Sequence, residues 1–188
     1  MDLLESLAGH LPADVEEAAE LETIRGFVER HANPFDRAIA EGHLTGSAIV
    51  VSADGACVLL LHHRKLERWL QPGGHADPGE SSGEVVALRE AREETGIQGL
   101  RLHASAPRPL DVGVHPIPAR PGEPEHQHLD LRYLAVAPRG AAPSPRAAEA
   151  RAAHWFTWEE AAGFDLDPGL RRALAKARAR CDGATRPA

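Results

Sequence analysis

The sequence predicts an α/β sandwich, in which a sheet is covered by helices on its faces. Two observations carry this prediction. Short apolar runs with β-branched residues, which are typical of strands, lie on both sides of one strong helical pattern at residues 81–95. A second helical pattern follows at residues 170–180. Strands before and after a central helix, with a last helix behind them, imply a layered α/β domain.

The first elements of the chain are predicted from local patterns. Residues 13–31 carry apolar side chains at mostly helical spacing among acids, which predicts an amphipathic helix packed on something larger. Two apolar runs, residues 46–51 and 56–61, are separated by a short segment that contains the pair Asp54 and Gly55. Because this pair favours a tight turn, the two runs are predicted to form a β-hairpin.

The centre of the chain combines a glycine turn with the strong helix. A short strand at residues 69–71 runs into a Pro-Gly-Gly sequence at 72–74, where the backbone can approach a ligand closely. The helix at residues 81–95 is preceded by serines that can cap it. It is closed by Gly96, at the position that favours a left-handed residue.

The second half of the chain continues with strands. Strand-like runs at residues 100–104 and 131–137 enclose a Pro-rich excursion, and residues 139–152, rich in Ala, Pro and Arg, predict a mobile connection. The predicted organisation has three parts: an N-terminal helical extension over residues 1–41, a main domain over 42–165, and a C-terminal helix and tail over 166–188.

Composition narrows the classes of function. A hydrophobic fraction of 43% and a charged fraction of 26% are ordinary for a globular protein. The formal net charge of -7 disfavours binding of extended nucleic acid, which relies on broad basic surface. No stretch approaches the roughly 18 apolar residues of a membrane span, and the N-terminus lacks a basic start. Because Cys57 and Cys181 are the only cysteines, a reducing cytoplasm is the expected compartment.

Three glutamates of the central helix indicate metal chemistry. Glu90, Glu93 and Glu94 stand at positions i, i+3 and i+4, so on a helix that turns by about 100° per residue they share one face. Like charges repel one another, and a hard divalent cation such as Mg²⁺ would neutralise them while bridging to substrate phosphates. The opposite positions are small or apolar and are predicted to pack on the sheet: Val85, Leu88, Ala91 and Thr95.

Residues 73–97 read GGHADPGESSGEVVALREAREETGI. This segment resembles the signature of the Nudix hydrolase family, G-x5-E-x7-R-E-U-x-E-E-x-G-U, where U is an aliphatic residue. The matching residues are Gly74, Glu80, Arg89, Glu90, Glu93, Glu94, Gly96 and Ile97. The flanking segments GHLTGSAIVV, RWLQPGGH and HWFTWEEA are similar to MutT-like domains, so the resemblance covers residues 42–162. It implies a Nudix-type α/β/α sandwich with a mixed sheet.

The resemblance also implies roles for individual residues. Glu93 and Glu94 would ligate Mg²⁺, or Mn²⁺ in its place, and Glu90 would be a further ligand or the base that activates water. Arg89 would orient Glu90 through a charge-assisted hydrogen bond, and the carbonyl of Gly73 could complete the coordination. The implied reaction is attack of water on a phosphorus of a nucleoside diphosphate that is linked to another group.

One position departs from the family pattern. Eight residues separate Glu80 from Arg89, where the family has seven. If Ser81 caps the helix in a capping box with Glu84, the extra residue lies inside the helix as a π-type bulge. If Ser82 is the cap, the extra residue lies in the loop. The spacing within the metal-binding half of the signature, from Arg89 to Ile97, is unchanged. Because the extra residue shifts Glu80 relative to that half, Glu80 is a weaker catalytic candidate than Glu90.

A polar segment at residues 125–133 alternates with period two. As a strand it would direct four polar side chains to one face: His126, His128, Asp130 and Arg132. Acids or histidines beyond the signature often complete sites of this type, so His128, Asp130 and Arg132 are predicted to bind substrate, with Glu125 as an alternative. A separate zinc site on the two histidines is disfavoured, because no further ligand is evident.

A basic cluster precedes Trp69, and its members are His62, His63, Arg64, Lys65 and Arg68. Arg64 is a candidate for binding a substrate phosphate, although a solvated loop explains the cluster equally well. Trp69 either stacks on a base or packs in the core, and the core is the more common place for a tryptophan of a strand.

The sequence thus predicts a magnesium-dependent hydrolase of a small nucleotide-like diphosphate, without a membrane partner. The N-terminal helix has two possible roles, which the sequence does not distinguish: it mediates homodimerisation, or it covers the site. One alternative is a regulatory module of the same fold that has lost turnover through displacement of Glu80. An isomerase of allylic diphosphates would need a reactive cysteine, and Cys57 sits in an apolar strand. Substrate selectivity is expected to depend on loops that include residues 111–124.

Overall fold

The computed structural model describes residues 3–145 and 150–184, and these residues form one eight-stranded sheet with helices. The strands are β1 (Gly42–Val51), β2 (Cys57–His63), β3 (Trp69–Leu70), β4 (Gly73–His75), β5 (Arg101–Leu102), β6 (Asp111–Ile117), β7 (His126–Val136) and β8 (Ala150–Thr157). The helices are α1 (Leu3–Ala8), α2 (Val15–Arg30), α3 (Gly83–Thr95), α4 (Trp158–Ala162) and α5 (Pro168–Ala184).

Two long parallel strands, β1 and β7, form the centre of the sheet. Their register brings polar residues side by side: His43 with His128, Thr45 with Asp130, and Ser47 with Arg132. Both β2 and β4 pair with β1 in the antiparallel sense, so the sheet is mixed and the predicted hairpin of β1 and β2 is confirmed. Because side chains alternate along a strand, this register collects the polar residues on one face of the sheet.

Two apolar clusters pack on the sheet, as the predicted α/β/α arrangement requires. One contains Ile24 of α2 together with Val86 of α3. The other contains Trp158 of α4 together with Leu170 of α5. Both clusters include fully buried side chains of β1, which therefore lies in the middle of the fold. None of the helices in the described ranges is long and apolar enough to cross a membrane.

The start of helix α3 decides where the extra residue of the signature lies. Ser82 is the N-cap, in an extended conformation, and the helix runs without interruption from Gly83 to Thr95. The extra residue therefore lies in the loop before the helix and not in a π-bulge. At the other end, Gly96 has the predicted left-handed conformation, with φ of 72°, and its N–H donates to the carbonyl of Arg92.

The buried face of α3 differs from the predicted one by one position. Val85 is 50% exposed, whereas Val86 and Ala87 are fully buried. The reason is the close approach of β1: a Cβ atom at Gly46 would lie 2.6 Å from the carbonyl oxygen of Gly83. The contact row on the helix thus begins at Gly83 and continues every third or fourth residue, which turns Val85 outward. The predicted burial of Ala91 and Thr95 is confirmed.

Two connections differ from the sequence interpretation. The Pro-rich excursion contains strand β6, Asp111–Ile117, so the first part of the expected selectivity loop belongs to the sheet. Of the mobile connection predicted over residues 139–152, residues 146–149 lie outside the described residues, and β8 already begins at Ala150. The predicted terminal helix is confirmed and is longer than expected, from Pro168 to Ala184.

Candidate active site

Strand β4 passes so close to helix α3 and strand β1 that only glycine fits. A Cβ atom at Gly74 would lie 2.7 Å from the carboxylate carbon of Glu90, and one at Gly73 would lie 2.3 Å from Cβ of Ser47. Both separations are far shorter than a carbon–carbon contact allows. The N–H of Gly73 donates to Oε2 of Glu94 at 2.8 Å. The two glycines therefore let the backbone approach two of the three predicted metal-binding glutamates.

Arg89 is the centre of an ion-pair network that joins α3 to β4. Its Nη2 donates to Oε2 of Glu80 at 2.9 Å and to the carbonyl of His75 at 2.7 Å. Its Nη1 donates to Oε1 of Glu90 at 3.1 Å and lies 3.8 Å from Oε1 of Glu93. One planar guanidinium thus holds the helix, the strand and the preceding loop in a fixed relation.

The same network sets the charge of Glu80. Hydrogen bonds from Arg89 outweigh the opposing effect of burial and, with the N–H of Asp77 at 2.9 Å, hold the pKa of Glu80 below its ordinary value. The hydrogen bond to Glu80, opposed by burial, is also the main cause that raises the pKa of Arg89. Both groups are therefore ionised at neutral pH, and the residue inserted before Ser82 leaves Glu80 within reach of Arg89.

A cavity of about 830 Å³ opens beside β4. Its volume lies in the range of sites that hold a ligand of nucleotide size. Five of the residues predicted from the sequence line it: Gly73, Glu94, His128, Asp130 and Arg132. Its rim also carries side chains from the basic cluster, which are His63, Lys65 and Arg68. The predicted site-lining position of the polar face of β7 is thus observed.

The floor of the cavity is a buried polar network. Asp130 accepts hydrogen bonds from the hydroxyls of Thr45, at 3.0 Å, and Ser47, at 2.7 Å. Arg132, with 1% of its surface exposed, donates to Asp111 at 2.8 Å and to Asp130 at 3.3 Å. Burial would lower the pKa of Arg132, but the two carboxylates raise it. The guanidinium therefore stays charged in the cavity wall, in a fixed orientation.

Four imidazoles gather at the other end of this polar row: His43, His75, His126 and His128. The Nε2 atoms of His75 and His128 are 3.1 Å apart. Burial, aided by repulsion from neighbouring positive groups, lowers the pKa of His43, His75 and His128 to about 4, so these rings are neutral at pH 7. Sequence reasoning identified only the two histidines of β7, because the others come from distant strands.

Comparison with known proteins agrees with this geometry. The family model described as NUDIX domain matches residues 43–177. This chain belongs to the NUDIX family. The match begins at the start of β1 and ends within α5, so most of α5 lies inside the NUDIX domain as the family defines it. The resemblance inferred from the sequence is thereby confirmed.

Several curated NUDIX relatives match parts of the chain. A putative 8-oxo-dGTP diphosphatase of Bacillus subtilis is 34% identical over 84 residues, which cover 45% of this chain and 49% of the relative. A probable DHNTP pyrophosphohydrolase of Lactococcus lactis is 33% identical over 93 residues, or 48% and 52% of the two chains. An asymmetrical bis(5'-nucleosyl)-tetraphosphatase of mouse is 52% identical over 42 residues, or 22% and 24%. The chain thus spans about half or less of these relatives.

Solved structures share the NUDIX fold over more of the chain. An Ap4A hydrolase of C. elegans, in a binary complex, superimposes with a TM-score of 0.60 at 21% identity and covers 74% of this chain and 98% of its own. A MutT NUDIX hydrolase of Burkholderia pseudomallei gives a TM-score of 0.54 at 27% identity, with 72% and 98% covered. The fold of the chain is therefore the NUDIX fold.

Several residues of the sequence interpretation do not line the cavity: Arg89, Glu90 and Glu93 belong to α3, Glu80 belongs to the loop before it, and Arg64 and Trp69 lie elsewhere. Arg64 is exposed in the turn between β2 and β3 and is not among the residues that line the cavity, because the chain folds back there and turns its neighbours inward. Trp69 is half-buried and packs edge-on against Phe156 and face-on against Phe164. Its ring thus belongs to the core, as the commoner interpretation expected.

Proposed function

We propose that the chain is a magnesium-dependent hydrolase that cleaves the diphosphate linkage of a nucleoside diphosphate joined to another group. The observation that carries this proposal is the arrangement of Glu90, Glu93 and Glu94 on one face of α3, with Arg89 next to the first two and Glu94 in the wall of a ligand-sized cavity. The names of the relatives, all of which refer to nucleotide-type diphosphates or polyphosphates, support the substrate class.

The residues at this position fit a hard divalent cation. Mg²⁺ prefers carboxylate and carbonyl oxygens, and β4 can come this close to the glutamates only because a Cβ atom is missing at Gly74. The ion would be held by Glu90, Glu93 and Glu94 and by the carbonyl of Gly73, and Mn²⁺ would suit the same oxygens. Such an ion supplies charge stabilisation at the phosphate oxygens and lowers the pKa of water.

The side chains around it would carry the remaining steps. Arg89 fixes the orientation of Glu90, and Glu90 would take a proton from the attacking water. As the water oxygen bonds to phosphorus, the bond from phosphorus to the leaving phosphate oxygen breaks, and its electron pair leaves with that oxygen. Glu80 would act through Arg89 as a positioning residue, since it accepts hydrogen bonds from the guanidinium.

The cavity would hold the rest of the substrate. Arg132 and the rim cations Lys65 and Arg68 would attract phosphate oxygens, and Asp130 would accept hydrogen bonds from the polar groups of the nucleoside, with His128 beside it in the cavity wall. Local cations are needed for this, because the chain as a whole carries a net charge of -7.

Direct turnover tests the proposal. The full chain is incubated with Ap4A, 8-oxo-dGTP and dihydroneopterin triphosphate, each with excess Mg²⁺, and products are separated by liquid chromatography. We expect at least one compound to be hydrolysed between two phosphates and the reaction to stop with EDTA. Hydrolysis of none of a wider panel of nucleoside diphosphate derivatives, by a chain that remains folded, would contradict the proposal.

The two alternative functions have less support. The regulatory module rested on a displaced Glu80, and Glu80 accepts two close hydrogen bonds from Arg89. The isomerase would need a reactive cysteine, and Cys57 is not among the residues that line the cavity. Burial also raises the pKa of the Cys57 thiol, which disfavours the nucleophilic thiolate.

A substitution of Gly74 tests the close approach of β4 to the helix. Gly74→Ala places a methyl group against the Glu90 carboxylate, so we expect kcat to fall by about ten- to a hundredfold, as for other displacements of about an ångström in an active site. The control is Gly183→Ala, where a Cβ atom would meet nothing within 4 Å. Equal activity of both variants in a steady-state assay would mean that Glu90 does not need this position.

Two further expectations belong to the proposal. A reducing cytoplasmic compartment stays a proposal, and it rests on the presence of only two cysteines in the sequence. Homodimerisation through the N-terminal helix stays a prediction. Comparing the mass and the activity of the full chain with those of a truncation that starts near Asp36 would test it.

A further inference from the structure

We propose that His43, His75 and His128 form a second metal site, which binds a transition-metal ion such as Zn²⁺ and is separate from the carboxylate site. One ligand nitrogen from each of these three rings lies within 4.8 Å of the others. The Nε2 atoms of His75 and His128 are 3.1 Å apart. Two nitrogens bound at roughly 2.0 Å to one tetrahedral ion would be about 3.3 Å apart, so small ring rotations suffice to close the site.

The imidazoles and the Glu90 carboxylate lie on opposite sides of strand β4. Gly74 faces Glu90 of α3, because a Cβ atom there would touch that carboxylate. His75, the next residue, points to the opposite face, where its ring meets those of His43 and His128. The imidazoles therefore face away from Glu90, while Glu94 lines the same cavity as His75 and His128. The two sets of ligands differ in chemistry, one of oxygen and one of nitrogen.

The environment of His43 is the strongest indication of a bound metal ion. Its side chain is only 2% exposed, and neither Nδ1 nor Nε2 has a hydrogen-bond partner in the described part of the chain. A buried imidazole without partners costs free energy, and native structures rarely keep one without a reason. A metal ion bound to one nitrogen would satisfy it.

His126 lies beside these three rings but outside the group whose nitrogens lie within 4.8 Å of one another. Its Nδ1 lies 2.9 Å from the carbonyl of Pro124, and because a carbonyl can only accept, this nitrogen carries the proton. The lone pair is then on Nε2, which is buried without a hydrogen-bond partner. The ring of His126 stacks on that of His43 at a centroid distance of 5.2 Å. A carbonyl bound to the second nitrogen is the usual support for a metal-ligating histidine.

Ligand type selects the metal. Neutral imidazole suits zinc, copper and nickel, whereas Mg²⁺ prefers oxygen. Charged groups of both signs act on these rings. Arg37, which is exposed to solvent, acts on His43 and His75, Asp130 acts on His128, and Glu123 has an oxygen 3.8 Å from Nε2 of His126. A bound cation would link β1, β4 and β7, and so would fix the strand that carries Gly73 and Gly74.

Metal titration of the full chain tests the site. Metal-free protein is first saturated with Mg²⁺ to occupy the carboxylates and is then titrated with Co²⁺ as a spectroscopic probe and with Zn²⁺ in a calorimeter. We expect one equivalent of Co²⁺ with the intense visible absorption of a four-coordinate site that has three imidazole ligands, and a thermal midpoint that rises with Zn²⁺. His43→Gln should weaken binding by about a hundredfold or more, since even loss of an outer partner can cost that much.

Two control variants show whether Co²⁺ binds at the imidazole cluster and not at the carboxylates or at an exposed histidine. Glu93→Gln alters the carboxylate site and His154→Gln alters an exposed histidine of β8, and both should bind Co²⁺ like the wild type. If His43→Gln does not fold, imidazole nitrogen NMR of the wild type replaces it, and Zn²⁺ should shift the resonances of His43, His75 and His128 together. Absence of stoichiometric binding, or shifts confined to other histidines, would overturn the proposal.

Discussion

Glu93→Gln is expected to lower kcat/KM of the proposed hydrolysis by about a thousandfold. The substitution keeps the shape of the side chain but removes one of three negative charges on the same face of α3. Loss of a metal ligand removes several kcal/mol of stabilisation from the charged transition state, and each 1.4 kcal/mol corresponds to about a factor of ten in rate. The Glu93 side chain is 40% exposed and lies 3.8 Å from Nη1 of Arg89, and the substitution keeps its shape, so the fold should survive.

The matched control for this substitution lies on the same helix. Glu84→Gln also replaces a glutamate of α3, but Glu84 is exposed in the first turn, and at nine residues before Glu93 it lies on the opposite side of the helix. We expect its kcat/KM to equal that of the wild type, with circular dichroism unchanged in both variants. If Glu93→Gln and Glu84→Gln have the same activity, Glu93 has no part in the reaction. A second readout is the Mg²⁺ concentration at half-maximal rate, which should rise only for Glu93→Gln.

Features that depend on local physics could be predicted from the sequence. The common face of Glu90, Glu93 and Glu94 follows from helix geometry alone, and the end of the helix follows from the freedom of Gly96 to adopt a left-handed conformation. The alternation of residues 126–133 correctly predicted a polar face on β7 that lines the cavity. In each case the interacting residues are close in the chain.

Features that depend on pairing of distant segments could not be predicted. His43 and His128 lie side by side only because β1 and β7 pair in parallel with one particular register. A shift of one residue would point each row of side chains to the other face, and no short segment specifies that register. The cluster of four imidazoles and the buried pair of Arg132 with Asp111 were therefore beyond sequence reasoning.

Strand β6 was missed for a related reason. Gly113 and Pro116 interrupt its pattern, and both residues disfavour a strand when they are judged locally. The glycine is needed because a Cβ atom at Gly113 would lie 2.6 Å from Nη2 of Arg132. The Arg132 side chain of β7 thus limits which residue fits at position 113. The sequence of β6 alone does not reveal this contact.

The N-terminal helix is joined to the domain by a buried ion network. Glu17 of α2 is fully buried and accepts hydrogen bonds from the N–H of Ala13, at 2.6 Å, and from Lys176 of α5. Arg172 of α5 lies 3.6 Å from the same carboxylate and donates to Asp111 of β6 at 2.9 Å. Helices from both ends of the chain therefore meet on β6.

Glu17→Gln is expected to lower the free energy of unfolding by about 3–5 kcal/mol at neutral pH. Breaking a buried ion pair is strongly destabilising, and here Lys176 and Arg172 would lose one of the carboxylates that offset their charges and would have to share Asp111. The control is Glu22→Gln on the same helix, whose ion pair with Arg25 is at the surface, with 74% of the Glu22 side chain exposed. That pair should contribute less than about 1 kcal/mol. Urea denaturation of both variants measures the difference.

The effect of Glu17→Gln should also depend on pH in a defined direction. Burial alone would raise the pKa of Glu17, but hydrogen bonds from His10, Lys176 and Ala13 hold it well below its ordinary value of 4.5. In the unfolded chain the carboxylate gains a proton near pH 4.5, whereas in the folded chain it stays ionised. The stability that Glu17 contributes is thus complete above that pH and is lost as the pH falls toward the folded pKa.

The difference in free energy of unfolding between wild type and Glu17→Gln should therefore be constant from about pH 7 to pH 5. It should narrow below about pH 4.5, by up to about 1.4 kcal/mol per pH unit. A gap that widens on acidification would mean that Glu17 is protonated in the folded protein.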